Sequence, residues 1–241
     1  MERKIVVLTG AGISAESGFS TFRGAGGLWE NHRVEDVCSA EGWQRDPALV
    51  NAFYNGLRRR LFEAEPNRAH RRLAEMQAAM QGRGELAVVT QNVDDLHERA
   101  GTRGVVHLHG ELLKVCSSRD KEDARYIRTL AAGSPDVAPG QLAADGSLER
   151  PWIVFFGEAV PRLAEAAALV SRADVLVVVG SSLAVYPAAS LVRYVHPGAR
   201  VYVVDPEEVD LRGCPVRPTH LRLKASEGVE RLCELLDRDI L

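Results

Sequence analysis

The sequence predicts an α/β protein whose core is a doubly wound, mainly parallel sheet. Short apolar runs bounded by turn residues recur along the chain, as expected for strands buried on both faces. They cover residues 5–8, 86–89, 105–108, 153–156, 175–179 and 201–204. Helix-like stretches lie between several of these runs, for example at 162–171 and 188–194. Strand–helix alternation of this kind indicates a Rossmann-like arrangement.

Two segments interrupt the alternation and predict a smaller lobe. Residues 31–80 have the pattern of helices, with Asp46 and Pro47 as a start signal for one of them. Residues 116–150 are rich in Gly, Pro, Ser, Asp and Ala and predict a loop-rich insertion. We expect these two insertions to form the small lobe, with a cleft beside it. The Rossmann-like domain would then comprise residues 1–30, 81–115 and 151–241.

Composition restricts the partners and the compartment. The 241 residues are 46% hydrophobic and include 30 basic and 33 acidic side chains, for a net charge of −3, so direct nucleic-acid binding is not expected. No apolar stretch reaches 18 residues, and we expect no membrane association. The four cysteines, at positions 38, 116, 214 and 233, are too far apart for paired CxxC motifs. They predict reduced thiols in a cytoplasmic protein.

A glycine-rich turn follows the first predicted strand. The turn contains Gly10, Ala11, Gly12 and Ser14. Such a turn lets the backbone approach the pyrophosphate of a dinucleotide. Because Ala15 replaces the last glycine of G-x-G-x-x-G, an ordinary tight turn remains the alternative. Further along, Arg23 can contact phosphate and Phe22 can cover a ring.

Polar residues also follow the other predicted strands, at the sheet edge where α/β proteins bind ligands. After the strand ending at position 89 these are Gln91, Asn92 and Asp94, for which helix capping is the alternative. A second Gly/Ser turn follows residue 179, and an acidic residue that could bind a ribose hydroxyl follows residue 204. These positions are Gly180, Ser181, Ser182 and Asp205.

Two histidines near residue 108 are candidates for proton transfer. His107 and His109 lie two positions apart, so on a regular strand they would share one face. A histidine followed by glycine at a cleft can act as a general base, although a structural role is the alternative.

Taken together, these residues resemble the sirtuins, which are NAD-dependent protein lysine deacylases. The matching stretches occur in the same order between residues 6 and 187. They read GAGISAESGFSTFRG, TQNVDDLHERAG, HLHGE, VFFGE and GSSLAVYP.

The resemblance implies NAD as cofactor and acyl-lysine proteins or peptides as substrates. In a mechanism like the family's, the acyl oxygen attacks the ribose C1′ as nicotinamide leaves, and the general base takes a proton from a ribose hydroxyl. The implied catalytic residues are His109 as base, Asn92 and Asp94. The implied NAD-binding residues are Gly10, Ala11, Gly12, Ser14, Phe22, Arg23, Gln91, Asn92, Asp94, Gly180, Ser181, Ser182 and Asp205. The implied peptide-binding edge consists of Val154, Phe155, Phe156, Gly157 and Glu158, against which the substrate would add as a strand.

Three features depart from the family pattern. The usual two CxxC pairs for zinc are missing, since Cys116 stands alone, and we therefore expect no metal. The subgroup that removes acidic acyl groups has a Tyr and, three residues later, an Arg. Here Tyr54 is followed by Leu57 at that position, and Arg58 could substitute because it shares the helix face, which leaves desuccinylation or demalonylation and plain deacetylation equally open. Asp205 stands where Asn is usual and favours NAD over NADP.

Other reaction classes remain as alternatives. Protein mono-ADP-ribosyl transfer could use the same NAD-activating residues with a different acceptor. An NAD- or ADP-ribose-sensing module would not need the complete set Asn92, Asp94 and His109. A hydride-transfer dehydrogenase would need a substrate domain that the remaining residues do not supply.

Overall fold

The computed structural model describes residues 2–19 and 32–240. The strands within this part are β1 (Arg3–Thr9), β2 (Gly84–Thr90), β3 (Val106–His107), β4 (Gly110–Ser117), β5 (Arg128–Thr129), β6 (Glu149–Ile153), β7 (Val175–Val179), β8 (Arg200–Val204) and β9 (Thr219–Leu221). The helices are α1 (Gly12–Ala15), α2 (Val34–Val37), α3 (Ala40–Arg45), α4 (Pro47–Glu63), α5 (Arg68–Ala79), α6 (Leu96–Arg99), α7 (Leu163–Ser171) and α8 (Ala225–Ile240). Segments Ala124–Tyr126 and Ala188–Tyr194 are 3₁₀ helices. No helix in the described residues has both the length and the apolar content needed to cross a bilayer.

The larger sheet is parallel and has β1 near its centre. Its strand order is β3-β2-β1-β7-β8-β9, and each neighbouring pair runs in the same direction. The chain first extends to one side of β1 through β2 and β3, and later to the other side through β7, β8 and β9. This reversal opens a crevice at the carboxyl ends of β1 and β7, where such sheets bind ligands. The predicted doubly wound parallel sheet is confirmed.

Both faces of this sheet are covered, which explains why its strands are continuous apolar runs. Val6 and Leu8 pack in a core with α7 and the 3₁₀ helix at 188–194. Ile5 and Val7 point the other way and pack in a second core with α5 and α8. Alternation of side chains along β1 therefore supplies both cores at once.

The small lobe combines α2, α3 and α4 with a second, antiparallel sheet of order β5-β4-β6. Helix α4 begins where predicted, because the Asp46 side chain accepts the Leu49 N–H at 2.9 Å and Pro47 occupies the first turn. Its buried face supplies the lobe's core. The main apolar residues of that face are Val50, Phe53, Tyr54, Leu57 and Leu61.

The packing differs from the predicted lobe boundaries at one helix, α5, and one strand, β4. Residues 68–79 were expected in the small lobe, but Ala69 and Leu73 of α5 pack with Ile5 and Val7 on the large sheet. Residues 110–115 were expected in the large domain, but they form most of β4 in the antiparallel sheet. Periodicity identifies a helix or strand, but it does not indicate which neighbour covers the apolar face.

The apolar run at 153–156 is not a strand of the parallel sheet, so this prediction was wrong. β6 ends at the first residue of the run and pairs antiparallel with β4. Beyond it, the Val154 N–H donates to the His109 carbonyl at 3.0 Å, and the Phe156 N–H donates to the Cys38 carbonyl at 2.8 Å. Ile153 and Phe155 pack with α4 in the small-lobe core, whereas Val154 is half-buried and Phe156 is exposed, so the run is not buried between two layers of helices.

The 116–150 insertion is attached to α4 and to β4 by polar and apolar contacts. Asn55 donates to the Val137 carbonyl and accepts the Val137 N–H, both at 3.0 Å. Arg128 donates two hydrogen bonds to the Glu149 carboxylate, at 2.7 and 2.5 Å. A small apolar cluster joins Val115, Leu130 and Val137. These contacts hold the segment in the place where the family pattern would put a zinc site.

Candidate active site

A cavity of about 890 Å³ lies between the carboxyl ends of the parallel strands and the small lobe. Its sheet side is formed by the segments that follow β1, β2, β7 and β8. Its other side is formed by α4 and by residues 153–158. A volume of this size is typical of small-molecule and cofactor sites, and the position is the crevice that the strand order creates.

The two glycine-containing turns pack directly against each other at one end of the cavity. The Gly12 N–H donates to the Gly180 carbonyl at 2.8 Å, and the Gly10 N–H donates to the Val179 carbonyl at 3.0 Å. A Cβ on Gly12 would lie 2.6 Å from the Gly180 Cα. Because these N–H groups are already used, the glycines contribute a bare backbone surface beside Ala11 rather than free donors. Phe22 and Arg23, predicted to bind the dinucleotide, lie outside the described residues.

Polar side chains after β2 form a layered network. Gln91 Nε2 donates to Ser181 Oγ at 2.8 Å and connects the segment after β2 to the turn after β7. Asn92 Nδ2 donates to Ser14 Oγ at 3.1 Å, and Ser14 Oγ donates to Asp94 Oδ2 at 2.9 Å. Asn92 lines the cavity, whereas Ser14 and Asp94 lie one layer behind it. Asn92 Oδ1 is buried without a partner among the described atoms, so a bound dinucleotide would satisfy it.

Asp94 acts within the protein rather than facing the cavity. Burial raises its pKa to about 6, although hydrogen bonds from Ser14 and from the Leu96 N–H oppose the shift. Through these two hydrogen bonds the Asp94 side chain holds Ser14 in place and binds the first N–H of α6. Of the residues predicted to be catalytic, Asn92 and His109 reach the cavity, and Asp94 supports Asn92 through Ser14.

His109 has the geometry of a general base. Its Nδ1 lies 2.9 Å from the Gln91 carbonyl oxygen, which accepts the Nδ1–H and leaves Nε2 without a proton. The side chain lines the cavity. Burial lowers the pKa of His109, against the raising effect of the Gln91 carbonyl, so the ring is neutral at physiological pH. A neutral ring with a free Nε2 can accept a proton from a bound hydroxyl group.

His107 does not share the environment of His109, contrary to the expectation that both lie on one face. β3 ends at residue 107 and β4 begins at residue 110, so the two histidines are not on one regular strand. His107 Nδ1 is 3.1 Å from the Asn92 carbonyl oxygen, and its Nε2 is 2.8 Å from Glu98 Oε1. It does not line the cavity.

The residues after β7 and β8 that were predicted to bind the dinucleotide also line the cavity. Ser182 and Asp205 line it together with Gly180 and Ser181. Asp205 Oδ1 accepts the Glu207 N–H at 2.9 Å, which fixes the carboxylate just beyond β8. This is the position from which an acidic side chain binds a ribose hydroxyl.

The small-lobe wall of the cavity is apolar, and Arg58 is not part of it. Tyr54 and Leu57 line the cavity, whereas Arg58 is fully buried and donates to the Leu112 carbonyl and to Asn55 Oδ1, both at 2.8 Å. At 3.6 residues per turn, the residues three and four positions after Tyr54 lie on opposite sides of it around the helix axis. The cavity is on the Leu57 side. The structure therefore does not bring Arg58 to the predicted acyl position.

The predicted peptide edge lines the cavity, and Glu158 maintains its shape. The residues concerned are Val154, Phe155, Phe156, Gly157 and Glu158. The Glu158 carboxylate accepts from Arg150 Nη1 at 2.7 Å, from Lys121 Nζ at 3.2 Å and from the Phe155 N–H at 2.9 Å. Burial alone would raise the pKa of Glu158, but the Arg150 hydrogen bond and charge outweigh burial and lower it. Glu158 is thus an ionised carboxylate whose hydrogen bonds hold the peptide edge in its conformation.

Comparison with known proteins agrees with this geometry. The family model described as the Sir2 family matches residues 10–187. The chain belongs to the Sir2 family. A relative from Bacteroides thetaiotaomicron, named NAD-dependent protein deacylase, is 54% identical to this sirtuin over 235 residues and aligns with 97% of this chain and 98% of its own. A Helicobacter pylori protein of the same name is 50% identical over 205 residues, with 85% of each chain covered.

Solved structures give the same result. A Sir2 homologue–NAD complex superposes with a TM-score of 0.83 at 37% identity and covers 99% of this sirtuin and 91% of its own chain. A mutant Sir2 homologue in complex with ADP-ribose has a TM-score of 0.86 at 38% identity and covers 98% and 93%. The family, the Rossmann-like fold with a small sheet lobe, and NAD as cofactor are thereby confirmed.

Several residues of the site were not predicted from the sequence. Cys38 and Phe53 line the apolar wall, and Glu98 binds His107. Phe53 could have been found, because it lies four residues before Leu57 on α4 and thus on the same side of the helix. Cys38 and Glu98 reach their positions through tertiary contacts, for which the sequence carries no local signal.

Proposed function

We propose that this sirtuin is a protein lysine deacylase that uses NAD to remove uncharged, apolar acyl groups. NAD-dependent deacylation, expected from the sequence, is supported by relatives with that name at 54% and 50% identity. The choice of acyl group rests on one observation. Leu57 lines the cavity, whereas the neighbouring Arg58 is buried and bonded to Leu112 and Asn55.

The lysine's acyl group would enter the apolar end of the cavity. Its walls are Cys38, Phe53, Tyr54, Leu57, Ile153 and Phe155. The Tyr54 hydroxyl already donates to Cys38 Sγ at 3.6 Å, and burial raises its pKa, so the phenol is neutral. None of these six described wall residues carries a positive charge, so a carboxylate on the acyl chain would lose its hydration here without a cationic partner among them, which is unfavourable. Acetyl and longer apolar groups carry no such cost.

The chain's own residues account for the reaction steps. NAD supplies an activated ribose whose C1′ can accept the acyl oxygen as nicotinamide leaves. Asn92 would bind this ribose through Oδ1, since this atom is buried and has no partner among the described residues. His109 would take a ribose hydroxyl proton on Nε2, because Nδ1 is committed to the Gln91 carbonyl. Closure of the apolar wall around the acyl chain would exclude water from the reacting atoms.

The peptide would bind along the cavity rim as an added strand. The backbone N–H groups of Val154, Phe155 and Phe156 are already bonded within the chain. Gly157 is exposed and also lines the cavity, so its backbone is available for main-chain bonds to the peptide. Main-chain bonds at this position would bind acyl-lysine peptides of many sequences.

We also propose that the small lobe contains no zinc, although the family pattern implies one. Among the described residues, no group of three or more His, Cys, Asp or Glu side chains could hold a metal ion. Cys116 is buried, and burial raises the pKa of its thiol to about 12, which disfavours the thiolate that zinc requires. Elemental analysis of untagged protein tests this, and one zinc per chain would refute it.

Location in the cytoplasm remains a proposal that rests on the cysteines. None of the four, at positions 38, 116, 214 and 233, forms a disulfide bond in the structure. Reduced, widely spaced thiols are typical of a reducing compartment. Cell fractionation with an antibody against the protein would test it, and recovery from an oxidising compartment would contradict it.

The assay that tests the function uses one lysine peptide with different acyl groups. Acetyl, butyryl, succinyl and malonyl forms are incubated with protein and NAD, and the products are identified by mass spectrometry. We expect acyl-ADP-ribose and nicotinamide, with acetyl and butyryl removed about tenfold faster or more than succinyl. Faster succinyl removal would contradict the acyl proposal. ADP-ribose attached to protein, without loss of any acyl group, would instead indicate mono-ADP-ribosyl transfer.

A further inference from the structure

His107 lies between two groups that can only accept hydrogen bonds. Its Nδ1 is 3.1 Å from the Asn92 carbonyl oxygen, and its Nε2 is 2.8 Å from Glu98 Oε1. A neutral imidazole carries a single N–H, so it can donate only one of these two bonds. Both bonds exist together only when both ring nitrogens are protonated.

The contrast with His109 shows what this second partner does. His109 Nδ1 bonds the Gln91 carbonyl, and His107 Nδ1 bonds the next carbonyl, that of Asn92. The two histidines thus hold successive carbonyls of one turn. His109 lines the cavity and, with its Nδ1–H donated, can accept a proton on Nε2, whereas His107 Nε2 is bonded to Glu98.

Asn92 is held from three directions. Its N–H donates to Thr90 Oγ1 at 3.0 Å, its Nδ2 donates to Ser14 Oγ at 3.1 Å, and His107 bonds its carbonyl. Oδ1 remains as the buried atom of this side chain that has no partner in the described part of the chain. The direction in which Oδ1 points therefore depends on all three contacts.

We propose that His107 is a positioning residue that, with Glu98 as its partner, holds Asn92 in the orientation that binds NAD and releases it at alkaline pH. The inference rests on the proposed function, because it assigns Asn92 Oδ1 to NAD. His107 itself touches neither NAD nor substrate. Its effect reaches the cavity through the Asn92 backbone.

The charges around His107 favour its protonated form. Glu98 of α6 bonds it directly. Glu111 of β4, Asp94 and Asp95 add negative charge nearby. His97 of α6 is the neighbouring basic group. Burial alone would lower the pKa of His107, but the hydrogen bond and charge of Glu98 outweigh burial and raise it. Below this raised pKa the imidazole of His107 therefore makes both hydrogen bonds. One of the two is lost as the pH rises through the pKa.

The test measures NAD affinity by calorimetry from roughly pH 6 to pH 9.5, a range on both sides of the histidine's ordinary value. In the parent protein we expect the affinity for NAD to fall about tenfold or more as pH rises, because a charge-assisted hydrogen bond is lost. Glu98→Gln should move this weakening to lower pH by about one unit or more. An unchanged pH dependence in Glu98→Gln would overturn the proposal.

The matched control is Glu65→Gln. Glu65 is also an acidic partner of α6, since it lies 2.9 Å from Arg99, but it does not contact His107. Its pH dependence should equal that of the parent. An equal shift in Glu65→Gln and Glu98→Gln would overturn the proposal, because it would indicate a general charge effect.

A second variant separates positioning from general stability. In His107→Gln, the side-chain amide can still donate to the Asn92 carbonyl but does not titrate, so the affinity should no longer change at alkaline pH. If neither variant folds, NMR of the parent's His107 ring decides. Titration above the ordinary value of about 6.5 supports the proposal, and titration below it overturns it.

These measurements are independent of deacylation. NAD binding with the expected pH dependence, together with no product in the acyl-peptide assay, would contradict the proposed function and leave the role of His107 supported. If acyl groups are removed but Glu98→Gln does not change the pH dependence of NAD affinity, the proposed function is supported and the role of His107 is contradicted.

Discussion

At the scale of single residues, His109 is the group whose removal should affect turnover most. His109→Ala should lower kcat by about 10²- to 10⁴-fold, because no other neutral imidazole nitrogen faces the cavity among the described residues. NAD affinity should change little, since the base acts on a proton rather than binding the dinucleotide. Acyl-peptide turnover and NAD calorimetry measure the two effects.

The control for His109 is His196→Ala. His196 is exposed near the amino end of β8, away from the cavity, and should leave turnover unchanged. Full activity of His109→Ala would show that another group is the base. Loss of NAD affinity in parallel with turnover would show that His109 acts mainly in binding.

Leu57 should determine which acyl groups are accepted. In Leu57→Arg, a guanidinium would enter the apolar wall beside Tyr54 and could pair with a carboxylate at the end of the acyl chain. We expect the ratio of succinyl to acetyl removal to rise about tenfold or more. Competition between the two acylated peptides, followed by mass spectrometry, measures the ratio directly.

The control for this substitution is Leu57→Met, which changes the shape of the wall without adding charge. It should keep the parent's preference for uncharged groups. An unchanged succinyl to acetyl ratio in Leu57→Arg, with the protein folded, would show that the acyl chain does not reach this wall.

At the scale of elements, the contact between the turns after β1 and β7 should tolerate no side chain. Gly180 has a φ of +60°, and a Cβ there would lie 2.3 Å from the Ile13 backbone nitrogen. Gly180→Ala should therefore destabilise the fold by clearly more than the roughly 1–2 kcal/mol of a left-handed alanine, and it should weaken NAD binding. Thermal unfolding and calorimetry measure both.

Gly140 is the matched control for backbone strain alone. Its φ is +74°, but a Cβ there would meet nothing within 4 Å. Gly140→Ala should cost only about 1–2 kcal/mol and leave NAD affinity unchanged. Equal destabilisation by the two substitutions would mean that the close approach of the turns adds nothing.

The elements also show how far a sequence can be interpreted. β1, β2, β7 and β8 were predictable because burial on both faces makes each strand a continuous apolar run. The same reasoning misplaced residues 153–156, since an apolar run that only partly faces the small-lobe core has the same composition as a fully buried strand. It also put α5 in the small lobe, because the spacing of apolar residues identifies a helix but does not indicate which part of the protein the helix packs against.

The candidate site was predictable to a similar extent. Side chains that directly follow a strand, such as Asn92 and Asp205, reach the cavity as expected. His107 and Arg58 do not, because each is oriented by a tertiary partner, Glu98 in one case and Leu112 in the other. Such partners lie 9 and 54 positions away and leave no pattern in the sequence.

At the scale of the whole molecule, the small lobe should be stable in the absence of metal. A strong chelator should change neither the Tm nor the deacylation rate. Asn55→Ala should lower the Tm by about 4–10 °C, because it leaves the buried Val137 N–H and carbonyl and one Arg58 nitrogen without partners. Differential scanning calorimetry of the parent with and without chelator, and of Asn55→Ala, measures the Tm values. The acyl-peptide assay measures the deacylation rate.

The control is Arg59→Ala on the same helix. Arg59 pairs with Asp136 at an exposed position, and surface pairs of this kind contribute little. Its Tm should stay close to that of the parent. A chelator-induced fall in Tm would show that a metal ion contributes to the fold.

The two carbonyls held by the histidines belong to neighbouring residues, Gln91 and Asn92. His109, the proposed general base, is thus hydrogen-bonded to the same dipeptide at the end of β2 that contains Asn92, the proposed cofactor contact. A shift of this dipeptide moves both groups together, so their separation cannot be adjusted by changing either one alone. During evolution of the site, the proton acceptor and the dinucleotide contact would be selected as a unit, and variation would accumulate in the acyl wall, which is carried by other segments.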